Sequence, residues 1–503
     1  MFPLIQTLKA STRGELRSDV LAGLTTAVML VPQAMAYAML AGLDPIVGLY
    51  ASTLPLALYA LVGSSRPLAV GPVAMDSLMV AAGLLPLISN DPAQYATAAA
   101  LLALMVGGIQ LLMGLVKAGF LVRFLAKPVI TGFTAAAAII IGLSQLKSAL
   151  GISLPRSQQV HVILIALSEK LGEIHPLTLG VTAISVITLV VLKKVSPRFP
   201  RFLLVVAAGT LTTWAFGLDQ MGLAVVGEVP AGLPSISLPW VNLELVGQLF
   251  PIALAIALVA MMEAISVAKR YDEAGELKPN RELVGLGLAN LASAMVGGYP
   301  ITGGFSRTAV NAQAGAKSPL AGLVTAGVVV LVLVFLTQYF YFLPKAVLAA
   351  IIMSAVIGLV DVQGLQGLWK NNRMDFAVAM AAFVATLTLG IQIGMAIGVG
   401  ASLIALLWRT ATPKVKELGT EDGVLSVQIE GPLYFGNTDS VREDIAAMKL
   451  RPEVHQVRIQ TDNLGSLDST ARSLVEELEK SATQEPEDLA SIAQSEEERE
   501  HVA

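Results

Sequence analysis

Long apolar runs recur along the chain as far as about residue 409, with short polar segments between them. A helix of about 20 residues crosses the hydrocarbon core of a bilayer. Counting such runs, and allowing two broken ones, predicts fourteen spans, near residues 19–40, 45–63, 67–86, 96–116, 124–146, 175–193, 201–217, 248–268, 283–299, 304–314, 319–337, 345–360, 374–389 and 391–409. The pattern predicts an all-α polytopic membrane protein.

The broken runs are the third in each set of seven. Residues 66–79 place two Pro and a Gly ahead of a short apolar run, and residues 297–316 combine several Gly with Pro300, polar side chains and Arg307. Irregular backbone cannot face lipid, because each unpaired N–H or C=O group costs several kcal/mol in hydrocarbon. Both stretches must therefore be buried in protein or line a wet cavity.

Each broken stretch leads into a helix that is too short to span the bilayer, which predicts a pair of half-helices. A half-helix that begins inside the membrane points free N–H groups and the positive end of its dipole into the protein. With Arg307 beside that end, the sequence predicts a binding site for an anion. The alternative is a kinked span in which Arg307 pairs with carbonyl groups of a neighbouring helix.

Two sets of seven spans predict an inverted repeat, because an odd number of spans forces the two copies into opposite orientations. Lys and Arg collect in alternate loops, for example at Lys193 and Lys194, whereas the long connection 218–247 contains neither. The positive-inside rule then places both termini in the cytoplasm. The predicted divisions are a cytoplasmic segment (1–18), a first repeat (19–217), an outward loop (218–247) and a second repeat (248–412).

The pattern changes after the last apolar run. Residues 424–430 and 454–460 alternate as strands do, and residues 438–450 and 468–480 have the pattern of helices. We predict a small cytoplasmic α/β domain over residues 424–480. Residues 481–503 are rich in Glu and poor in apolar residues, which predicts a disordered acidic tail.

The composition agrees with a protein embedded in a lipid bilayer. Hydrophobic residues make up 55% of the chain and charged residues 14%, which excludes an ordinary soluble protein of this size. The chain has no Cys, and His161 and His175 lack metal-ligand spacing, so we predict no metal site. The Gly-rich stretches lack a phosphate-loop pattern, and the basic clusters lie at membrane ends, so we predict no cofactor and no nucleic-acid partner.

Several motifs resemble those of the SulP family, the sulfate permease type of anion transporter. The longest is residues 45–66, PIVGLYASTLPLALYALVGSSR, which is similar to the family signature. Further similarities are VPQAMAY at 31–37, VGPVA at 70–74 and GGFSRTAVN at 303–311, and, as landmarks of a STAS domain, GPLYFG at 431–436 and LDST at 467–470. The resemblance covers residues from about 15 to 480.

This resemblance implies a core domain (spans 1–4 and 8–11), a gate domain (spans 5–7 and 12–14) and a homodimer. The anion would bind between the two half-helix N-termini and cross as the core moves against the gate. The substrate-binding residues it implies are Gln33, Tyr37, Val73, Ala74, Phe305, Ser306 and Arg307. Gln33 and Tyr37 share one helix face, since they are four residues apart. The alternatives are a Gln33 that bridges helices and a Tyr37 that only packs.

Three features depart from the family pattern. Val47 stands where the signature usually has Tyr, and the STAS-like region is short. Asp76 stands where relatives often have a small or apolar residue, and a carboxylate there would repel an anion unless it were protonated or turned away.

An acidic residue, Glu263, lies in the middle of the eighth span. Buried carboxylates are costly in a membrane and are plausible proton carriers. Our hypothesis is that Glu263, together with Asp76, couples anion uptake to protons. Sodium-coupled family members also have an acidic residue in this span, so sodium stays open as the coupling ion. The other alternative is a Glu263 carboxylate fixed by hydrogen bonds to the tenth helix.

The sequence therefore predicts a secondary active anion transporter of the inner (plasma) membrane. It would carry a small oxyanion or dicarboxylate, such as sulfate, bicarbonate or fumarate, by alternating access and with proton symport. Uncoupled transport and channel-like conductance are the alternatives. A membrane-embedded signalling protein that acts through the C-terminal unit is a further rival, whereas no nucleophile with its base suggests an enzyme.

Overall fold

A computed structural model gives the fold. It describes residues 12–88, 91–120, 127–155, 157, 159–196, 200–272, 275, 277–357, 360–411, 414–421, 424–430, 433–451, 454, 456–460 and 467–483. The chain forms two compact units, Met1–Ser402 and Leu403–Ala503.

The first unit is almost entirely helical. Its first part contains α1 (Arg13–Leu40), α2 (Pro45–Tyr50), α3 (Leu54–Val62), the short strand β1 (Val70–Gly71), α4 (Ala74–Leu84), α5 (Pro92–Leu115), α6 (Lys127–Ser144), α7 (Leu146–Leu150), α8 (Val160–Glu169), α9 (Pro176–Val195) and α10 (Arg201–Phe216). Its second part contains α11 (Leu243–Arg270), α12 (Pro279–Met295), β2 (Thr302–Gly303), α13 (Phe305–Gln313), α14 (Leu320–Phe335), α15 (Lys345–Ile357), α16 (Val362–Asn371), α17 (Arg373–Leu389) and α18 (Ile391–Ala411), which continues into the second unit.

Within the described residues, seven helical segments are long and apolar enough to cross a membrane. They are Arg13–Leu40, Pro45–Val62, Pro92–Leu115, Lys127–Leu150, Pro176–Val195, Leu243–Arg270 and Lys345–Asn371. Other predicted spans coincide with shorter apolar helices, such as α4 and α14. The protein is thus a mostly helical, multi-pass membrane protein, and the count of fourteen spans stays a prediction.

Two predicted boundaries differ from the structure. Helix α1 begins at Arg13, inside the predicted 1–18 segment, because Thr12 and Glu15 form a capping box. The predicted second span is interrupted between α2 and α3 by a turn at residues 51–53. Pro55 lies in the first turn of α3, where a helix does not need its missing N–H group. In the interior of one continuous helix, Pro55 would remove a backbone hydrogen bond.

Helices α5 and α12 pack closely through small residues, as membrane helices often do. A Cβ atom on Gly287 would lie 2.6 Å from the backbone nitrogen of Leu111, so the two backbones can approach only because Gly stands there. The buried Asn290 of α12 donates to Gln110 Oε1 at 3.0 Å and to the carbonyl of Ile301 at 3.0 Å. It also accepts from the N–H of Ile301 at 2.8 Å, which fixes the chain just ahead of β2.

Two buried carboxylates anchor loops of the first unit. Asp19 of α1 accepts from the N–H groups of Lys317 and Ser318 at 2.6 and 3.0 Å, and from the Ser318 hydroxyl. Glu282 of α12 accepts from the Tyr59 hydroxyl at 2.6 Å. It also accepts from the N–H groups of Ser64 and Ser65 and from the Ser64 hydroxyl, at 2.6 to 2.7 Å. Both carboxylates are therefore fully supplied with donors.

Among its described residues, the second unit contains the end of α18, a three-stranded sheet and two further helices. These are β3 (Lys414–Glu421), β4 (Val424–Glu430), α19 (Thr438–Lys449), β5 (Gln456–Gln460) and α20 (Ser469–Thr483). Strand β4 lies in the middle, antiparallel to β3 and parallel to β5. Alternate residues of β4, namely Leu425, Val427 and Ile429, pack with Val441 and Leu474 in the core of this unit.

The sequence did not predict β3, and it ended the last helix at residue 480. Residues 415–420 of β3 are largely exposed, so this edge strand lacks the alternating apolar pattern that marks β4. Asp468 caps α20, and the N–H groups of Ala471 and Phe435 hold the pKa of this carboxyl below its usual range. The predicted tail from residue 484 onwards, and residues 431 and 432 of the landmark motif, lie outside the described residues.

Candidate functional site

The two broken stretches lie side by side. Strands β1 and β2 pair antiparallel, with Val70 opposite Gly303 and Gly71 opposite Thr302. The N–H of Gly304 donates to the carbonyl of Ala69 at 3.1 Å, which extends the pairing by one more bond. Helix α4 begins three residues after β1 and α13 begins two residues after β2. The N-termini of two short helices, of 11 and 9 residues, are thus held beside one another.

Arg307 lies in the first turn of α13 and is only 1% exposed. Its Nη1 donates to the carbonyl of Pro72 at 2.7 Å, just ahead of α4. Its Nε and Nη2 have no hydrogen-bond partner among the described residues. A buried cation with unused donors, close to two helix N-termini, gives this region a positive potential.

Two glycines make room for this guanidinium. A Cβ atom on Gly304 would lie 2.8 Å from Arg307 Cζ, and Gly71, with φ of 150°, would place a Cβ atom 3.4 Å from Arg307 Nη2. Larger residues at Gly304 would push the guanidinium out of its position. These Gly residues therefore allow both the irregular backbone of the broken spans and the close packing of Arg307.

The other predicted binding residues lie on three elements that contact one another. Gln33 and Tyr37 are buried on α1, which packs against both α4 and α13. Val73 and Ala74 are buried where α4 begins, whereas Phe305 and Ser306 are exposed where α13 begins. Tyr37 lies close enough to interact electrostatically with Arg307. Neither polar atom of the Gln33 side chain has a hydrogen-bond partner in the part of the chain that the structure describes.

The two predicted coupling residues belong to the same cluster. Asp76 lies in the first turn of α4, and Glu263 lies on α11, a helix that packs against α4 and β2. The Asp76 carboxyl interacts electrostatically with that of Glu263, which in turn interacts with Arg307. Both Asp76 oxygens and Oε2 of Glu263 are buried without a hydrogen-bond partner among the residues described.

Sequence reasoning missed Tyr299 and Ser77. Both side chains are fully buried, and their hydroxyl oxygens lie 3.2 Å apart. Ser77 donates to the carbonyl of Val73 at 2.7 Å, so the Tyr299 hydroxyl donates to Ser77. This bond joins the start of α4 to the segment before β2. Tyr299 lies inside the Gly-rich stretch 297–316, but an aromatic residue in an apolar protein gives no signal of a polar role.

A small cavity of about 20 Å³ adjoins Arg307. Its other walls include Thr26, Leu30, Tyr59 and Asn311. This volume holds about one water molecule. Of the predicted binding residues, Arg307 alone lines this cavity.

The chain is similar to known proteins over most of its length. The sulfate permease family profile matches residues 16–382. Probable sulfate transporter 4.2 of Arabidopsis thaliana is 39% identical over 465 residues, which cover 87% of this chain and 68% of the relative. A probable sulfate transporter of Mycobacterium tuberculosis is 37% identical over 464 residues, covering 88% of this chain and 82% of the relative.

Two solved structures share the fold. The structure of SLC26A9 superposes with a TM-score of 0.87 at 23% identity, covering 96% of this chain and 86% of the other. The transmembrane domain of the cyanobacterial bicarbonate transporter BicA superposes with a TM-score of 0.67 at 25% identity, covering 78% of this chain and 98% of the other. Because the family profile covers most of the chain and curated relatives are similar over most of their length, this protein belongs to the sulfate permease family of membrane anion transporters.

Proposed function

We propose that the protein is a secondary active symporter that carries a divalent oxyanion, with sulfate as the first candidate, together with protons. The observation that carries this proposal is the buried Arg307, whose unused donors lie beside the N-termini of α4 and α13. Helix N-termini and an Arg fork together bind oxyanions through several N–H groups at once. The names of the curated relatives, which are sulfate transporters, support sulfate.

The anion would lie between the two helix N-termini. The N–H groups at Val73, Ala74 and Ser306 would donate to it, Gln33 and Tyr37 would line it from α1, and Phe305 would close its exposed side. The exposure of Phe305 and Ser306 supports a route by which an anion reaches the buried guanidinium. Alternating access would follow if the core helices carry this site past the gate helices.

The proposed architecture is fourteen spans in a seven-plus-seven inverted repeat, with the site near the middle of the bilayer. The distribution of Lys and Arg supports cytoplasmic termini in the inner (plasma) membrane. The C-terminal sheet and helices would form a short STAS-like domain, and two copies of the chain would form a homodimer, as the family resemblance implies.

Glu263 is the proposed proton carrier. Its buried Oε2 and its electrostatic contact with Arg307 support a carboxylate whose charge state changes as the anion binds. When the site is empty, an ionised Glu263 would balance Arg307. When an anion arrives, the proton taken up by Glu263 would free Arg307 to bind it.

The proposal is tested by an uptake panel in proteoliposomes that contain the full-length protein. Sulfate, bicarbonate, chloride, fumarate and succinate are supplied with and without an inward proton gradient, and in sodium-free and sodium-containing buffers. We expect saturable sulfate uptake that an inward proton gradient drives and that needs no sodium. Large voltage-driven chloride currents would instead identify a channel. Sulfate uptake that requires sodium would show that sodium, and not the proton, is the coupling ion.

The Tyr299→Phe variant tests the hydrogen bond between the two broken stretches. We expect the KM for sulfate to rise about two- to tenfold at an unchanged maximal rate, because one hydrogen bond of about 0.5 to 1.5 kcal/mol no longer fixes the start of α4. The matched control is Tyr95→Phe, which removes a buried hydroxyl that donates to the carbonyl of Ala41 at 2.7 Å, away from the site. An equal effect of both substitutions on the KM would show that Tyr299 has no special role in binding.

A further inference from the structure

The structure contains two kinds of buried carboxylate. Asp19 and Glu282 each accept several hydrogen bonds from N–H and hydroxyl donors. Asp76 is equally buried, at 0% exposed, yet neither of its oxygens meets a donor within the ranges that the structure covers. An ionised carboxylate in such surroundings costs many kcal/mol, whereas a protonated one costs far less, so Asp76 would be ionised only at the stage of the cycle in which water reaches it. Asp76 therefore lacks the features of a structural carboxylate.

The ionisable groups around Asp76 define the charge of the site. Glu263 from α11 and Tyr299 from the segment before β2 interact electrostatically with Asp76. Tyr37 from α1 and Arg307 from α13 interact in turn with Glu263. The tyrosines stay neutral at ordinary pH. Counting ionisable side chains alone, the cluster has a formal net charge of −1 when both carboxylates are ionised and Arg307 is protonated. A divalent anion would bring this charge to −3, which is costly to bury.

Two protons remove this difficulty. With Asp76 and Glu263 both protonated, Arg307 and a divalent anion together again have a net charge of −1. The loaded site then has the same charge as the empty one. A single proton, taken up by Glu263 alone, would leave the Asp76 charge beside the bound anion.

We propose that Asp76 is a second proton-binding group and that two protons accompany each divalent anion, which makes the transport cycle electroneutral. This inference rests on the proposed proton symport and sets its stoichiometry. Asp76 thereby acts in coupling, and its position in the first turn of α4 lets its protonation respond directly to the anion.

The stoichiometry is measured on the full-length protein in proteoliposomes whose potential is clamped with potassium and valinomycin. For two protons per sulfate, a one-unit inward pH gradient supports about 100-fold accumulation, at any membrane potential.

In the Asp76→Asn variant, one proton accompanies two negative charges. We expect about tenfold accumulation at zero potential, and an inside-negative potential should lower it further. Asp76→Glu keeps a titratable group and should keep the voltage independence.

Each outcome bears on a different claim. If wild-type accumulation is about tenfold and falls at inside-negative potential, one proton moves per sulfate and our inference is wrong, while the proposed symport stands. If the pH gradient has no effect on wild-type uptake, the proposed proton symport itself is wrong. Because the wild-type measurement decides the stoichiometry, the test holds even if a variant does not fold.

Discussion

The Glu263→Gln variant is expected to accumulate about tenfold less sulfate than the wild type under a one-unit inward pH gradient, because one proton fewer moves in each cycle. Exchange of external for internal sulfate should persist, since glutamine resembles the protonated carboxyl in size and polarity. Both quantities can be measured with labelled sulfate in the same proteoliposomes. This combination separates coupling from binding, because a variant that cannot bind sulfate would lose exchange as well.

The control for this experiment is Glu244→Gln. Glu244 lies on the same helix, α11, but is exposed near its N-terminus, so the same chemical change should leave accumulation unaltered. The double variant Glu263→Gln with Asp76→Asn should not respond to the pH gradient at all. Unchanged accumulation in Glu263→Gln would contradict a proton-carrying role and would favour a carboxyl whose part is only structural.

Arg307→Ala is expected to weaken sulfate binding by about 30-fold or more. Removing one member of a buried pair of opposite charges costs about 2 to 5 kcal/mol, and each 1.4 kcal/mol is a factor of about ten in Kd. Arg307→Lys should recover only part of the affinity, because an ammonium group cannot donate to the Pro72 carbonyl and to an oxyanion through a rigid fork. Calorimetric titration of the purified protein with sulfate measures the Kd directly.

The matched control is Arg281→Ala. Arg281 also donates to a backbone carbonyl, that of Val62 at 2.9 Å, but it lies at the start of α12 and away from the cluster. Its loss should lower the thermal stability without changing the Kd for sulfate. If Arg307→Ala behaved in the same way, with lower stability and an unaltered Kd, Arg307 would be the structural residue of a kinked span.

Much of the site could be predicted from residue types alone. Pro and Gly interrupt the apolar runs at residues 66–79 and 297–316, and backbone chemistry in lipid makes such interruptions informative wherever they occur. Arg307, Asp76 and Glu263 were noticeable because charged residues are rare in apolar segments. The strand β3 could not be predicted in this way, since its exposed residues lack an apolar period.

Which polar groups find partners was decided only by the tertiary structure. Asp19 and Glu282 bind donors about 298 and 218 residues away in the chain, whereas Asp76 binds none among the described residues. The bond between Tyr299 and Ser77 joins residues 222 positions apart. A carboxyl or a hydroxyl has the same local sequence signal whether or not a distant donor reaches it.

The sequence by itself determined that this protein is embedded in a membrane, that two of its spans are broken and that charged groups accompany the breaks. The tertiary structure decided that the breaks pair through β1 and β2, that Gly71 and Gly304 make room for Arg307, and that Asp76 faces Glu263. The physical reason is that hydrophobicity and backbone irregularity are local properties of the chain. The charge balance of a buried cluster depends on residues from α1, α4, α11 and α13, which only the folded protein brings together.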